Sequence, residues 1–218
     1  MQPLLSHLDN TAWTVLRTLA RLEFATIAQV VGACGTVNPT TVRRRLRGLA
    51  SAGLVAVERV VRPAIVSLTR RGARLLEVPP LRLRSWAVMR RCVQRNEAEQ
   101  VLRPIVGPFC VQPRRTVWRW GLCPAVGEYG VVTEAGQRAL LFVDGGMSPP
   151  ARVQHAWTRP HRPPQRFWSG PLGQRWSTVV EQGWVVTGDA GHAARLRGRL
   201  AGLPLQVVVV PPLWNNTL

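Results

Sequence analysis

The sequence predicts a protein of two domains with mixed α+β and α/β structure: helices with one β-hairpin come first, and a small mixed α/β sheet domain follows. Three observations predict this. Helical segments with capping residues surround a single hairpin in the first eighty residues. The paired prolines at 79 and 80 end that pattern, because proline breaks helices and favours extended backbone before it. Short extended runs then follow, and most of the 18 prolines lie at or beyond residue 104.

Two helices are predicted at the start of the chain. The first begins at a capping segment, residues 9–11, and continues to about Ala20, because its apolar residues recur at helical spacing. After a short break at residues 22–25, a second short helix is predicted at 26–31. A short helix, a turn and a basic helix is the order in which a helix-turn-helix presents its recognition helix.

The third predicted helix, at residues 40–49, is the most basic segment. Asn38 can cap it, and Pro39 suits its first position. Its apolar residues share one face, and Gly53 supplies a left-handed stop. Polar and charged residues spread over the other faces. The candidate DNA contacts among them are Thr40, Thr41, Arg43, Arg44 and Arg47.

A hairpin and a further helix complete the first domain. Strands are predicted at 54–60 and 64–68, with a turn at Arg62-Pro63, and Thr69 caps a helix at 70–76. Helix, helix, capped helix, hairpin, helix is the order of a winged helix. The sequence therefore predicts a winged helix-turn-helix DNA-binding domain at 8–78, in which Arg59 and Arg62 at the hairpin tip contact phosphates or a minor groove.

The charge of the chain indicates a nucleic-acid partner. The chain has 29 basic and 11 acidic residues, a formal net charge of +18, and every basic residue in that count is an arginine. Residues 1–120 hold 20 arginines and 6 acidic residues, whereas residues 121–218 hold 9 and 5. Such an excess in a folded chain favours nucleic-acid binding, because it attracts a polyanion. A basic protein without such a partner, or one bound to a membrane surface, is the alternative.

A connecting helix is predicted within residues 79–104, and an α/β domain at 105–218. The helix, from about 83 to 103, either packs on the first domain or pairs two subunits in a homodimer. Extended runs are predicted at 109–111, 116–120, 130–132 and 139–144. A strand at 183–187, a helix capped by Asp189 and a strand at 205–210 predict a parallel pair, because both strands are continuously apolar.

Several segments resemble the replication-relaxation family of plasmid and mobile-element proteins from Gram-positive bacteria. The N-terminal segments are "TVLRTLARLEFATIAQV", "TTVRRRLRGLASAGLV" and "VSLTRRGARLL"; the C-terminal ones are "RALLFVD" and "GWVVTGDAGHAARLRGRLAGLPLQVVVV". The resemblance implies a role in plasmid replication control, DNA relaxation, mobilisation or transcriptional control. It also implies that the second domain is related to restriction-endonuclease-like folds.

Catalysis is not expected. A restriction-endonuclease-like site holds Mg²⁺ with carboxylates and commonly uses a lysine. Here Glu128 and Asp144 are the candidate carboxylates of a metal-dependent nuclease, Phe142 stands where a further acid would be, and the chain has no lysine. A nicking relaxase would need a histidine cluster near the single tyrosine, Tyr129, and no His-x-His pair occurs. The four cysteines form no C-x-x-C pair, so no metal site and no cofactor are expected.

The sequence thus predicts a non-catalytic, sequence-specific protein that binds double-stranded DNA in the cytoplasm. No apolar stretch is long enough to span a membrane, and the N-terminus lacks the pattern of a signal peptide. The alternatives are the metal-dependent nuclease and a protein-interaction module. The interaction module would use the nine tryptophans and the proline-rich segment at 159–164 as its surface.

Overall fold

The computed structural model describes residues 8–59, 63–81, 85–125, 127–144, 148–159 and 174–210. These residues form two compact units, one ending at Glu97 and the other beginning at Ala98. The described part contains nine helices and two separate β-sheets. The predicted mixture of helices and sheets is therefore confirmed.

The first unit combines helices with a three-stranded antiparallel sheet. In chain order its elements are α1 (Asn10–Leu22), β1 (Phe24–Thr26), α2 (Ile27–Ala33), α3 (Pro39–Ser51), β2 (Val55–Glu58), β3 (Ile65–Leu68), α4 (Arg70–Leu75) and the start of α5 (Trp86–Val106). The strand order is β1-β3-β2. Residues 86–97 of α5 belong to this unit and residues 98–106 to the second.

Side-chain caps fix where the first four helices begin. Asp9, Thr26, Asn38 and Thr69 each accept a hydrogen bond from a backbone N–H in the first turn of the helix that follows. A cap of this kind stabilises a helix by about 1 kcal/mol, because it satisfies a backbone donor that has no partner within the helix. The predicted caps at Asn38, Thr69 and the segment 9–11 are confirmed, as is the left-handed Gly53, whose φ is +71°.

The core of the first unit is formed largely by α1 and α3. Apolar residues at helical spacing on both helices are fully or almost fully buried and pack with residues of β2 and β3. On the two helices these include Val15, Leu16, Leu19, Val42, Leu46 and Leu49.

The predicted break at residues 22–25 does separate α1 from α2, but it also contains the start of strand β1, which the sequence did not predict. Phe24 lies opposite Ser67 and Thr26 opposite Ile65 in an antiparallel pair with β3. Three residues are too few to show the alternation by which a strand is predicted from sequence. All three are buried, so pairing with β3 rather than local pattern determines their conformation.

The second unit is built around a five-stranded mixed sheet. Its further elements are β4 (Phe109–Val111), α6 (Arg114–Arg119), β5 (Glu128–Thr133), β6 (Arg138–Val143), α7 (Pro150–Thr158), α8 (Trp176–Val179), β7 (Gln182–Thr187), α9 (Ala190–Arg199) and β8 (Leu205–Val209). The strands lie in the order β4-β5-β6-β7-β8. Strands β4, β5 and β6 pair antiparallel, and β6, β7 and β8 pair parallel.

Helices of the second unit cover both faces of this sheet. On one face, Leu140 and Phe142 pack with residues of α7, α8 and α9. On the other, Leu141 and Trp184 pack with Leu102 of α5. Burial on both faces explains why the central strands β6 and β7 are largely apolar. The predicted parallel pair around α9, and its cap at Asp189, are confirmed.

The extended run predicted at residues 116–120 is wrong, because most of that segment lies in helix α6. Val117 is buried, Trp118 is exposed and Trp120 is half-buried, so the alternating tryptophans do not mark the two faces of a strand. Pro113 precedes the helix with a φ of −56°, the angle its ring imposes, and accepts the first helical hydrogen bonds.

We expect Gly72→Ala and Gly48→Ala to change stability in opposite directions. A Cβ at Gly72 in α4 would overlap the carbonyl oxygen of Leu54, whereas a Cβ at Gly48 in α3 would meet no atom within 4 Å. Gly72→Ala should lower the free energy of unfolding by about 1–3 kcal/mol through overpacking. Gly48→Ala should raise it by about 0.5–1 kcal/mol, because glycine is a poor helix former.

Urea titrations followed by circular dichroism measure both free energies. Equal stability of the Gly72→Ala variant and the unmodified chain would contradict the close approach of α4 to Leu54. A destabilised Gly48→Ala variant would contradict the open surroundings of that position.

Candidate nucleic-acid interface

The exposed face of α3 is the most strongly basic helical surface that the sequence predicts. Thr40, Arg43, Arg44 and Arg47 are spaced three and four residues apart, so they share one side of the helix, and all four are exposed. These four residues are the basic face of α3. The opposite side is buried, which anchors the helix through apolar contacts and leaves its guanidinium groups in solvent.

Two further α3 residues flank the basic face. Arg45 is half-buried and pairs with the carboxylate of Asp9, which also caps α1. That ion pair directs Arg45 toward α1 and away from the basic face. Thr41, a predicted contact, is half-buried on the same flank. Of the five predicted contacts in α3, the structure therefore brings four together on one exposed side.

The N-terminal end of α3 adds to the positive potential of the basic face. Asn38 Oδ1 accepts from the Thr40 backbone N–H at 2.9 Å, and the first turn contains no acidic residue. A helix N-terminus carries a partial positive charge, because its first N–H groups point outward. The basic face thus begins at the end of α3 that favours an anion.

Helix α4 provides a second group of exposed arginines, which are not among the predicted DNA contacts. Arg70, Arg71 and Arg74 are exposed. Arg71 donates to the carbonyl oxygen of Ala52 at 3.3 Å, so α4 begins beside the C-terminal end of α3. The run R-R-G-A-R at residues 70–74 is the sequence signal that could have identified them.

The two predicted hairpin residues have different outcomes. Arg59 follows β2 directly and is exposed. Arg62 lies outside the residues that the structure describes. A contact between the hairpin tip and DNA therefore stays a prediction.

A buried polar cluster joins the first half of α5 to the end of α1 and to β1. Arg95 donates to the carbonyl oxygen of Leu22 at 2.8 Å and pairs with Glu23 at 3.1 Å. Asn96 donates to the carbonyl oxygens of Leu22 and Phe24, at 3.2 and 2.9 Å. Glu23 has a φ of +63°, an unfavourable conformation for a residue with a Cβ. The cluster holds this strained turn and links α5 to the helices that support the basic face.

Cys92 lies within the same cluster and is chemically protected by it. Its Sγ is 3.4 Å from Glu23 Oε2. Burial raises the pKa of the Cys92 thiol to about 12, and the Glu23 carboxylate adds to this rise while Arg95 opposes it. The thiol is therefore neutral at physiological pH, and a neutral thiol is a poor nucleophile.

In the second unit, protein donors engage the two carboxylates of the nuclease alternative. Glu128 Oε2 accepts from Trp176 Nε1 at 2.9 Å and from the Ala125 N–H at 3.0 Å. Asp144 lies 2.7 Å from His192 Nε2 and accepts from the Ser148 N–H at 3.2 Å. Glu128 is 5% exposed and Asp144 1%. Both carboxylates thus hold the ends of their strands to neighbouring loops and helices.

Among the described residues, no group of three or more histidine, cysteine, aspartate or glutamate side chains could hold a metal ion. None of the described helices combines the length and apolarity required to cross a bilayer.

No family model matches the chain. A comparison with curated proteins also found no match. Membership of the replication-relaxation family stays a prediction.

The described tryptophans lie mainly in core or half-buried positions. Trp157, Trp176 and Trp184 are buried in the second unit, whereas Trp86 and Trp118 are exposed. Residues 160–164 of the proline-rich segment lie outside the described part of the chain. The interaction-module alternative therefore stays a prediction with two exposed tryptophans in its favour.

We expect iodoacetamide at pH 8 to modify Cys110 and to spare Cys92 in the folded protein. Cys110 is exposed, whereas Cys92 is buried and its raised pKa leaves almost no thiolate. Mass spectrometry of peptides after a short pulse measures both rates. In urea the two cysteines should react alike, which serves as the control. Equal rates in the folded chain would contradict the buried cluster around Arg95.

Proposed function

We propose that this protein binds double-stranded DNA sequence-specifically without catalysing a reaction, and that its first unit is a winged helix-turn-helix. The single observation that carries the proposal is the basic face of α3. Thr40, Arg43, Arg44 and Arg47 lie together on the exposed side of one helix, and that helix contains no acidic residue. Arginine binds both phosphate oxygens and base edges through paired donors.

The topology of the first unit supports this proposal. A short helix, α2, precedes α3, and a β2–β3 hairpin follows it, with β1 pairing at the other side of β3. This is the element order in which a winged helix presents its recognition helix. In that arrangement α3 enters the major groove, which is about 12 Å wide and admits one helix.

The surroundings of α3 favour the same partner. The exposed arginines of α4 begin beside its C-terminal end. They would contact backbone phosphates on the flank of the groove, as would Arg59 from the hairpin. Phosphate contacts position a protein on the duplex, and base contacts supply the sequence preference.

The biological role is a further part of the proposal. The resemblance to the replication-relaxation family suggests control of replication, mobilisation or transcription of a plasmid or mobile element, in the cytoplasm. A homodimer would bind two half-sites about one helical turn apart. Analytical ultracentrifugation with and without a duplex tests that stoichiometry.

A metal-dependent nuclease has less support than a binding protein. Its two carboxylates, Glu128 and Asp144, are buried and accept hydrogen bonds from backbone N–H groups. Glu128 also accepts from Trp176, and Asp144 lies 2.7 Å from His192 Nε2. Mg²⁺ is bound by accessible carboxylate oxygens together with several waters. Loss of any plasmid nicking in Asp144→Ala would be the result that favours the nuclease.

We expect Arg43→Ala and Arg47→Ala to weaken binding to labelled duplex DNA, and Arg199→Ala to leave it nearly unchanged. All three remove one exposed arginine, but Arg199 lies on α9 in the second unit. Loss of a base contact costs about 1–3 kcal/mol. Loss of a phosphate contact lowers the slope of log affinity against log salt by about one.

Titrations at two salt concentrations, with and without random competitor DNA, separate these effects. Specific binding survives the competitor in the unmodified chain and in Arg199→Ala. Equal losses in all three variants would show that net charge rather than the basic face binds the duplex, and would contradict the proposal.

A further inference from the structure

We infer that the basic face of α3 recognises guanine in the major groove, so that the target is a duplex site with closely spaced guanines. The inference rests on the proposed function, because it names the base that the proposed recognition helix selects. Three observations support it: the types of side chain on the basic face, the absence of ion pairs to its arginines among the described residues, and the distance between those arginines along the helix.

The only side chains of the basic face that can form two hydrogen bonds to one base are its arginines, which donate and do not accept. Helix α3 contains no aspartate, glutamate, asparagine or glutamine. The amide oxygen of Asn38, just before the helix, accepts from the Thr40 N–H. The face therefore lacks the carboxylate that accepts from cytosine N4 and a free amide for adenine. Arginine, with five N–H donors and no acceptor, is the group that remains.

Guanine is the base that matches a donor-only side chain. Its major-groove edge presents two acceptors, N7 and O6, whereas adenine presents an acceptor beside an amino donor. Cytosine presents an amino donor, and thymine one acceptor beside a methyl group. A guanidinium fork thus forms two hydrogen bonds to guanine and meets a donor or a methyl group at the other bases.

The three arginines of the face are available for this contact. Among the described residues, no carboxylate pairs with Arg43, Arg44 or Arg47, whereas Asp9 holds Arg45 on the flank. All three are exposed, so binding a base does not require breaking an internal ion pair.

The spacing of the arginines limits the spacing of the guanines. Arg43 and Arg47 are separated by one helical turn, about 6 Å along the axis at 1.5 Å per residue. Base pairs are spaced by about 3.4 Å along the duplex. Two arginines one turn apart therefore reach bases about two pairs apart, and the site should contain at least two guanines within about three base pairs.

The experiment compares three pools of duplex DNA with a randomised 20-base-pair centre, bound to the full chain. One pool is unmodified, one contains 7-deazaguanine in place of guanine, and one contains inosine. The 7-deaza base lacks the N7 acceptor of the major groove. Inosine keeps N7 and O6 and loses only the minor-groove amino group. Sequences recovered from the unmodified pool show whether guanines are enriched at the inferred spacing.

We expect guanine-rich sites from the unmodified pool, little change with inosine, and weaker binding with 7-deazaguanine. The loss should be about 2- to 10-fold for each guanine contacted, because one of two hydrogen bonds is removed. The single variants Arg43→Ala, Arg44→Ala and Arg47→Ala each remove one fork of donors, and at least one of them should reduce the sensitivity to 7-deazaguanine. Arg45→Ala, the same change on the flank, should retain the full sensitivity.

The outcomes separate this inference from the proposed function. Salt-sensitive binding of all three pools with equal affinity and no guanine enrichment would overturn guanine recognition and leave duplex binding intact. Failure to bind any pool would overturn the proposed function and the inference together. Unchanged 7-deazaguanine sensitivity in all three of Arg43→Ala, Arg44→Ala and Arg47→Ala would show that residues outside the basic face contact guanine N7, and would also overturn the inference.

Discussion

Burial of Val42, Leu46 and Leu49 sets the orientation of α3, and the chemistry of its exposed side depends on that constraint. Each such side chain contributes about 1.5–3 kcal/mol when fully removed from water. Rotating the helix by half a turn would expose all three and bury guanidinium groups such as that of Arg43, at a cost of several kcal/mol for each unpaired charge. The apolar stripe therefore fixes which side chains a partner can meet.

Because the chain has far fewer acidic residues than arginines, the positions of the few carboxylates determine which arginines are neutralised and which stay charged. In the first unit, Asp9 both caps α1 and pairs with Arg45, and Glu23 pairs with Arg95 in the buried cluster. These carboxylates hold arginines that have structural roles, and the arginines of α3's basic face have no acidic partner among the described residues. Unneutralised charge of this kind repels itself and attracts a polyanion. This distribution of ion pairs leaves a positively charged surface on α3 that the phosphates of a DNA duplex would neutralise.

Much of the first unit was predictable, because the interactions that determine where its helices begin join residues close together in the sequence. Caps such as Asn38 and Thr69 lie within three residues of the backbone groups they bind. Strand β1 was not predictable, because its pairing with β3 is decided by residues some forty positions away. The same holds for the cluster around Arg95, which reaches Leu22 and Glu23. The common face of Thr40, Arg43, Arg44 and Arg47 followed from helical spacing, whereas the pairing of Arg45 with Asp9 and the place of α4 beside Ala52 required the tertiary structure.

Arginine-specific labelling of the whole chain, with and without a bound duplex, tests the central claim most directly. The chain has no lysine, so one arginine reagent such as phenylglyoxal reports on all 29 residues that carry its formal positive charge. Peptide mass spectrometry then gives the protection of each position. Our account predicts that the duplex protects Arg43, Arg44 and Arg47 strongly and leaves Arg197 and Arg199 of α9 reactive. Protection confined to the second unit, or spread evenly over all arginines, would contradict it.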